Sequence, residues 1–463
     1  MTTTASQKEL QAFEQDETTQ FYMDVLRTLI SKKSIFAQQV GLKEVATYLA
    51  EVFEDSGADV LVDDRYTAPF VLAKFKSPHP DAKTIIFYNH YDTVPADDDQ
   101  PWTSDPFTLT IRQGYMYGRG VDDDKGHITS RLTAVKKYLN EVGDLPVNVI
   151  FIMEGAEESA SVDLEHYLET YHNQLVPADL LIWEQGIKNS RNQLEITGGN
   201  KGIVTFDLSI QSADVDIHSK YGGVIESASW RLLAALQSMR ATDGRLLIDG
   251  IYDHVLPPNQ RELDLVKQYA LDNPKELQDI YGLTLPTLVT EQEAFLRRYF
   301  FEPSLTIEGL TSGYQGQGVK TILPSTASAK MEIRLVPGLT PEYALACVEN
   351  HLQKLGFSDI LVTYTLGEES YRSDLSALAI LRLIELAKAQ SPAGVSVLPT
   401  SAGTGPMHKV HSRLGVPIAS IGIGHPNSRD HGGDENVRLV DYYSHIQLVK
   451  ELIASYESSN YCS

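Results

Sequence analysis

Hydrophobic positions in the first part of the chain switch between helical spacing and short, continuous apolar runs. The segment LKEVATYLAEVFEDSG places Val45, Leu49, Val52 and Phe53 on one helical face. Continuous apolar runs occur in FVLAKF, TIIFYNHYD, VNVIFIMEG and DLLIWEQ. Such runs are typical of a mostly parallel sheet that helices cover on both faces, so the pattern predicts an α/β fold.

The pattern changes after about residue 197, where IVTFDLSIQSA alternates like a half-exposed strand. A helix, further strands and a second helix follow, which predicts an inserted α+β domain over 198–368. Residues 241–300 are richer in Asp, Pro and Glu and are expected to elaborate this insert. The larger domain then comprises 1–197 and 369–463, and it ends with a buried strand and a helix.

Composition narrows the choice of partners. The 463 residues include 62 acidic and 39 basic side chains, a formal net charge of -23, which disfavours nucleic acid and anionic membranes as partners. A run of about 18 apolar residues is missing, and the first residues lack the pattern of a signal peptide. These features predict a cytoplasmic protein. Cys347 and Cys462 are the two cysteines, and a disulfide framework is not expected.

Candidate metal ligands follow several predicted strands, where metal sites on such sheets are built. His90 and Asp92 follow TIIFY, although a lone HxD pattern also suits a polar surface loop. In YGRGVDDDKGH, Gly118 and Gly120 bend the chain before three adjacent carboxylates. These carboxylates repel one another unless cations neutralise them, or else they cap a helix. The two glycines favour a metal loop.

Three more places offer similar groups. Glu157 and Glu158 follow an apolar strand, so that one could bind metal and the other move protons, or both could simply begin a helix. Glu184 follows LLIW, where a solvated glutamate is the ordinary alternative. His425 and His431 follow another buried strand, and either could be a ligand while the other packs. Glu154 lies nearer its strand and is a weaker candidate. Together these groups suit two zinc-like ions that share one bridging carboxylate.

Three motifs resemble the di-zinc peptidase family of carnosinase-type dipeptidases, glutamate carboxypeptidases and aminoacylases. They are HxDxVP at His90–Pro95, GRGxxDDKG at Gly118–Gly126 and EGxEES at Glu154–Ser159. The resemblance runs from about residue 20 to the C-terminus and is strongest to the carnosinase-type, non-specific dipeptidases. It implies two divalent metal ions, with Zn²⁺ expected and Mn²⁺ or Co²⁺ compatible with the same ligands.

Roles in the larger domain are carried over by position. The resemblance implies that Asp92 orients His90, that Asp123 bridges the two metals, and that Glu157 is the general base. The implied metal ligands are His90, Asp123, Glu158, Glu184 and His431. It further implies a cis peptide between Asp123 and Asp124, a variable position at Asp122 and a structural role for His425.

The insert resembles the family's lid domain. By position, the resemblance implies that His218 stabilises an oxyanion and that Thr321 contacts substrate. It also implies that Arg334 clamps the terminal carboxylate near Gly403 and Thr404. In dimeric relatives the histidine reaches the other subunit, so a homodimer through the lid is expected. The ordinary alternatives are a dimer-interface role for His218 and an ion pair of Arg334 with an acid.

The expected function is hydrolysis of a peptide bond in dipeptides or short peptides by a water held between two metals. An N-acyl or N-carbamoyl amino-acid amidohydrolase is the alternative, and a non-catalytic scaffold is the third reading. Glu184 and Thr404 stand where carnosinase-type members tend to have Asp and Ser, which leaves the substrate preference open. Lid closure predicts hinges near residues 197 and 368.

Overall fold

The computed structural model describes residues 13–96, 101–269 and 274–457. The chain divides into two compact units. The first comprises Met1–Gly199, Ser373–Pro399 and Lys409–Ser463, and the second comprises Asn200–Arg372 and Thr400–His408. The short segment 400–408 groups with the second unit, a feature that the sequence pattern does not predict.

The first unit is built on a sheet of eight described strands. In spatial order they are Asp59–Asp63, Phe70–Phe75, Asn148–Glu154, Thr84–His90, Leu180–Trp183, Ile418–Ser420, Leu194–Thr197 and Val395–Leu398. The four strands from Asn148–Glu154 to Ile418–Ser420 run parallel. The two strands at the Asp59 edge are antiparallel. All seven residues of Thr84–His90 are buried, as the continuous apolar run predicts.

Helices flank this sheet, and the predicted α/β class is confirmed. The helices that lie in the first unit are Glu17–Ser31, Leu42–Asp55, Lys125–Val142, Leu164–Leu175, Leu378–Gln390 and Leu439–Ala454. Met407–Leu414 is a further helix. Leu42–Asp55 buries Val45, Leu49, Val52 and Phe53, the face that the 3.6-residue period predicts.

A buried arginine ties three of the parallel strands together at their carboxyl ends. The Arg131 guanidinium donates to the carbonyls of Tyr88 at 3.1 Å, Trp183 at 2.5 Å, Glu184 at 2.8 Å and Ile421 at 3.2 Å. Arg131 is fully buried, and burial lowers its pKa to about 10. Arg131 thus gives four buried carbonyls a donor where water is excluded.

Arg131→Met is expected to lower the free energy of unfolding by about 3 kcal/mol or more, because it leaves several buried carbonyls without a donor. Urea unfolding followed by circular dichroism measures the change. The matched control is Arg413→Met, since Arg413 makes surface ion pairs with Glu165 and Glu169, and such pairs contribute about 0–1 kcal/mol. Equal effects of the two substitutions would contradict the role given to Arg131.

A buried histidine on the C-terminal helix predicts how stability depends on pH. His445 is buried, its two ring nitrogens have no hydrogen-bond partner among the described residues, and burial holds its pKa well below the ordinary value. The unfolded chain binds a proton at this residue below about pH 6.5, whereas the folded chain does not. The free energy of unfolding should therefore fall with decreasing pH below about 6.5, by at most about 1.4 kcal/mol per pH unit.

His445→Leu is expected to reduce the decrease in the free energy of unfolding at low pH, since leucine takes up no proton in the unfolded state. Denaturant unfolding at pH 7.5, 6.5 and 5.5 measures the difference between variant and parent. His172→Leu serves as the control, because His172 lies in the last turn of helix Leu164–Leu175 and is exposed. If His445→Leu and the parent lost stability in parallel, the linkage assigned to His445 would be wrong.

The first unit carries a second, smaller sheet. Its three strands are Thr110–Arg112, Tyr115–Tyr117 and Asn436–Arg438, with Tyr115–Tyr117 in the centre and both pairings antiparallel. The strand Asn436–Arg438 follows the loop that contains His431, so this sheet fixes one end of that loop.

The second unit is an antiparallel sheet packed with helices. The strand order is Ser304–Ser312, Thr326–Leu335, Gly202–Gln211 and Leu361–Glu368. Burial alternates along Gly202–Gln211, so Val204, Phe206 and Leu208 face the core. The helices are Ala228–Met239, Gln260–Gln268, Pro274–Tyr281, Gln292–Phe301 and Pro341–Lys354.

Two predictions from composition can be compared with the fold. Cys347 is a buried, free thiol, while Cys462 and the predicted absence of a signal peptide fall on residues outside the described ranges. Within the described ranges, no helix combines the length and apolar character needed to cross a bilayer.

Candidate metal centre

Adjacent parallel strands bring the candidate ligands to one edge of the sheet. His90 ends the strand Thr84–His90, and Glu184 directly follows Leu180–Trp183, its neighbour in the sheet. Glu157 and Glu158 lie in a short 3₁₀ turn just after Asn148–Glu154, the neighbour on the other side. Because parallel strands end at the same edge, residues far apart in sequence meet there.

Asp123 lies between the two histidines. Its Oδ1 is 2.9 Å from His90 Nε2, and its Oδ2 is 3.0 Å from His431 Nε2. His431 Nε2 is also 3.1 Å from Glu158 Oε2. Each oxygen of one carboxylate thus faces a different imidazole, which is the arrangement that a carboxylate shared by two cations requires.

A second group of ligand atoms surrounds His90. One ligand atom each of His90, Glu157 and Glu184 lies within 4.8 Å of the others, as is also true of His90, Asp123 and Glu158. Glu184 Oε2 lies 3.9 Å from His90 Nε2 and is buried without a hydrogen-bond partner among the described residues. A buried carboxylate oxygen without a donor is costly unless a cation neutralises it, so these residues fit a bound metal.

The pKa values of the carboxyl groups and of His431 show that this cluster is stable only with protons or cations bound to it. Burial raises the pKa of Glu157 to about 8 and the pKa of Glu184 well above its ordinary value. Hydrogen bonds with Asp123 and Glu158 raise the pKa of His431 to about 11. Burial would raise the pKa of Asp123, but its hydrogen bonds with the two histidines lower it. Protons or divalent cations can supply the required charge.

Asp92 supports several members of the cluster at once. Its carboxylate accepts hydrogen bonds from the backbone N–H groups of Glu157 and Glu158, both at 3.2 Å. His90 Nδ1 lies 3.4 Å from Asp92 Oδ1 and 3.1 Å from the Asp92 carbonyl. The structure therefore places Asp92 beside His90, and it adds a contact to the glutamate turn that the HxD spacing does not indicate.

Glu435 holds the loop that carries Asp123. Its fully buried carboxylate accepts from the backbone N–H groups of Gly120 at 2.9 Å, Asp122 at 2.9 Å and Asp123 at 3.1 Å, and from Arg119 Nη1 at 2.8 Å. The sequence analysis did not single out Glu435, and its place four residues after the candidate ligand His431 is the one local signal that could have done so.

Asp124 is a second supporting residue that sequence reasoning missed. Its Oδ2 accepts from the His90 backbone N–H at 3.1 Å and from Asn89 Nδ2 at 2.6 Å. The Asp123–Asp124 peptide is cis, as the family resemblance implies.

Glu154 and His425 lie outside both ligand groups. Glu154 accepts a hydrogen bond from Tyr88 at 2.5 Å, and burial raises its pKa to about 7. His425 Nε2 is 3.0 Å from Asn436 Oδ1. The structural role expected of His425 and the lower rank of Glu154 stay predictions.

Residues 86–455 match the model of peptidase family M20/M25/M40. The chain belongs to this family. The predicted family and enzyme class are therefore confirmed, and the protein is a metallopeptidase. The match includes every candidate ligand described above.

Several members of the M20 family resemble the chain over most of its length. Beta-Ala-His dipeptidase of Mus musculus is 29% identical over 385 residues, which are 81% of this chain and 77% of the mouse protein. The crystal structure of the M20 family metallo-carboxypeptidase Sso-CP2 from Sulfolobus solfataricus is 33% identical, with a TM-score of 0.84, and covers 95% of this chain and 99% of its own. Human carnosine dipeptidase 1 is 26% identical, with a TM-score of 0.76 and coverages of 97% and 99%.

The predicted substrate residues of this M20 peptidase form two groups in the second unit. His218 pairs with Ile322 in a short antiparallel ladder, and the Ser219 backbone N–H donates to the Thr321 carbonyl at 3.0 Å. His218 and Thr321 are thus neighbours. His218 is exposed, and its Nδ1 accepts a hydrogen bond from the Lys220 backbone N–H at 3.1 Å.

The second group contains Arg334. Its Nη1 donates to Thr404 Oγ1 at 2.7 Å, which places Gly403 and Thr404 beside the guanidinium. Nε and Nη2 donate to the Glu332 carboxylate at 2.8 and 3.2 Å, so the ion pair considered as the alternative is also present. A guanidinium has five N–H donors, so donors remain for a further carboxylate.

Proposed function

We propose that this chain hydrolyses the peptide bond of dipeptides or short peptides and uses two divalent metal ions, with zinc as the native metal. The observation that carries the proposal is the position of the Asp123 carboxylate between His90 and His431, with Glu157 in the same cluster. His90, Asp123 and Glu184 would hold one ion. Asp123, Glu158 and His431 would hold the other.

The positions of the protein groups support the following roles. Bound divalent ions would supply a Lewis acid for the carbonyl oxygen and a water that ionises near neutral pH. Glu157 would accept the proton of the attacking water and later deliver it to the leaving amine. Asp92 would fix the orientation of His90 and of the turn that carries Glu157. His218 would donate a hydrogen bond to the oxyanion as it develops.

The similar proteins favour a substrate with a free carboxylate next to the scissile bond. They are named as dipeptidases and as a metallo-carboxypeptidase, and both reactions release an amino acid that has a free α-carboxylate. Arg334 and Thr404 together offer the charge and the donors that such a group needs. The names of these relatives do not favour the amidohydrolase alternative, and a full candidate ligand set argues against a scaffold.

We also propose that the chain forms a homodimer through its second unit. On the helix Ala228–Met239, Trp230 is 70% exposed and Leu233 is 41% exposed. The strand Ser304–Ser312 lies at the edge of its sheet and exposes Ile307 and Leu310. An unpaired edge strand and a neighbouring apolar side chain of this size favour association with a second copy. Analytical ultracentrifugation tests this proposal.

Arg334→Gln is expected to raise KM for dipeptides with a free C-terminus about tenfold or more, because a charge-assisted bond to the substrate carboxylate is lost. Dipeptides, their C-terminal amides, N-acetyl dipeptides and N-acetyl amino acids are assayed with the metal-loaded protein. The parent should strongly prefer the free carboxylate, and Arg334→Gln should lose that preference.

Each class of substrate in this panel distinguishes one of the possible activities. Turnover of N-acetyl dipeptides would extend the proposed activity to carboxypeptidase substrates, whereas a requirement for a free amine would restrict it to a dipeptidase. Arg413→Gln is the matched control and should behave like the parent. Fast cleavage of N-acetyl amino acids with no cleavage of dipeptides would overturn the proposed function in favour of the amidohydrolase.

A further inference from the structure

A polar cavity of about 620 Å³ lies in the first unit beside the loop that carries His431. Its charged lining residues are Arg112, Arg429, Arg438 and Asp434, and most of the others carry amide, hydroxyl or aromatic groups. The size lies within the range of small-ligand sites, roughly 300–1,000 Å³. The candidate metal ligands are not among the lining residues, so this cavity is separate from the metal centre.

The small three-stranded sheet places two guanidinium groups on the face that forms the cavity. Tyr115 pairs with Arg112 on one side and with Arg438 on the other, so the three residues form one cross-strand row. The neighbouring row contains Ile111, Met116 and Val437 on the opposite face, and Met116 and Val437 are completely buried. The register of the sheet therefore dictates that both cations face the cavity.

The carboxylates near this row do not balance its cations. Arg112 lies 3.3 Å from Asp434, which also accepts two hydrogen bonds from Thr103. The Nε of Arg438 donates to Asp441, whose other oxygen lies 2.9 Å from the ammonium group of Lys188. Asp434 is thus already in contact with Arg112 and Thr103, and Asp441 is in contact with Arg438 and Lys188.

Arg429 and one nitrogen of Arg438 supply the unused positive charge. The Arg429 side chain is exposed and makes no ion pair with any residue in the described ranges. The Nη2 of Arg438 is buried and has no hydrogen-bond partner in the described ranges. Among the residues that the structure describes, Arg112, Arg438 and Lys188 pair with two carboxylates, Asp434 and Asp441, and Arg429 adds a further positive charge, so these six residues carry an excess of two positive charges. In a chain with a net charge of -23, such an excess is unusual.

We propose that this cavity is a binding site for a small dianion, a phosphate-type or dicarboxylate group, held chiefly by Arg429 and Arg438. The planar guanidinium binds two oxygens of such a group side by side. The ligand would neutralise the excess charge of the cavity.

Residues 425–436 form a loop between the cavity and the metal centre, and some residues of this loop line the cavity while others contact the metal centre. Asp434 and Asn436 line the cavity, whereas Glu435 between them binds the segment that carries Asp123. Arg429 lines the cavity, whereas His431 lies against Asp123. An anion in the cavity would therefore restrain residues 425–436, and with them one candidate metal ligand.

Calorimetric titration of the full-length, metal-loaded protein with sulfate and with succinate tests the site. Sulfate represents the tetrahedral anions and succinate the dicarboxylates. At least one should bind saturably, and Arg429→Gln or Arg438→Lys should weaken that binding about tenfold or more. Arg438→Lys keeps a positive charge beside Asp441, and circular dichroism checks that the variant is folded. Arg413→Gln, a surface arginine elsewhere in this unit, should leave the affinity unchanged.

Hydrogen exchange locates the bound anion independently. Amides in residues 425–436 should exchange more slowly with the anion in the parent, and this protection should be missing in Arg429→Gln. Saturable binding of sulfate alone would assign a phosphate-type ligand, and binding of succinate alone a dicarboxylate. The proposal is overturned if neither anion binds. It is equally overturned if binding survives both arginine substitutions but is lost in Arg334→Gln or after metal removal.

Discussion

Glu157→Gln is expected to lower kcat by about 10²–10⁴-fold, the range that a positioned general base contributes. Glutamine matches the size of the side chain but cannot accept and return a proton. The Glu157 carboxylate lies in the cluster with His90 and Glu184, and its backbone is fixed by Asp92. A base that is held in this way acts on a water beside it without further rearrangement.

A loss of activity without a loss of bound metal would distinguish a general base from a metal ligand. Glu157 is not one of the proposed ligands, so the variant should retain about two metal ions per chain by mass spectrometry and should still bind dipeptide. Glu169→Gln, on the exposed surface of the first unit, is the control and should keep full activity. Near-normal turnover in Glu157→Gln would refute the base, and loss of metal would turn Glu157 into a ligand.

Asp123→Asn is expected to abolish detectable turnover and to reduce the metal content to one ion per chain or fewer. The two carboxylate oxygens face two different histidines at 2.9 and 3.0 Å. An asparagine offers only one oxygen and no charge, so it can serve at most one of the two positions. Removal of residues that merely orient ligands already costs about 10–100-fold in metal affinity, and the loss of a shared ligand should cost more.

Metal content after dialysis and circular dichroism together measure this effect. Asp123→Asn should remain folded, because the backbone of its loop is held by Glu435 and not by the Asp123 side chain. Asp24→Asn is the control, since Asp24 is exposed and, within the part of the chain that the structure describes, its ion pair is with Arg27 at the surface. Two retained ions with normal turnover in Asp123→Asn would remove the central premise of a shared carboxylate.

Local sequence pattern was sufficient for the fold class. The run TIIFYNH is buried at every position, and helix Leu42–Asp55 buries the four residues that its period indicates. These features depend on the spacing of apolar side chains along a single element, which the sequence displays directly. The domain limits predicted at 197 and 368 stay predictions, and the membership of residues 400–408 in the second unit had no local signature.

Sequence pattern was less informative about the site. The residues His90, Asp123, Glu157, Glu158, Glu184 and His431 were proposed from their positions after predicted strands and from the family motifs, and the structure brings them together. Their individual roles stay predictions. The support given by Asp92 to the glutamate turn was not predictable, because it joins two strand ends through a side-chain contact to backbone N–H groups.

By itself, the sequence determined which segments form strands and helices and that acids and histidines gather after the strands, since both are properties of neighbouring residues. Only the tertiary structure decided that Glu435 reaches the amides of a loop more than 300 residues earlier, and that Arg112 and Arg438 flank Tyr115 on one face of a small sheet. Such contacts arise when a chain closes on itself. The energy that fixes them comes from burial and pairing between distant segments, and nothing in the local order of residues records it.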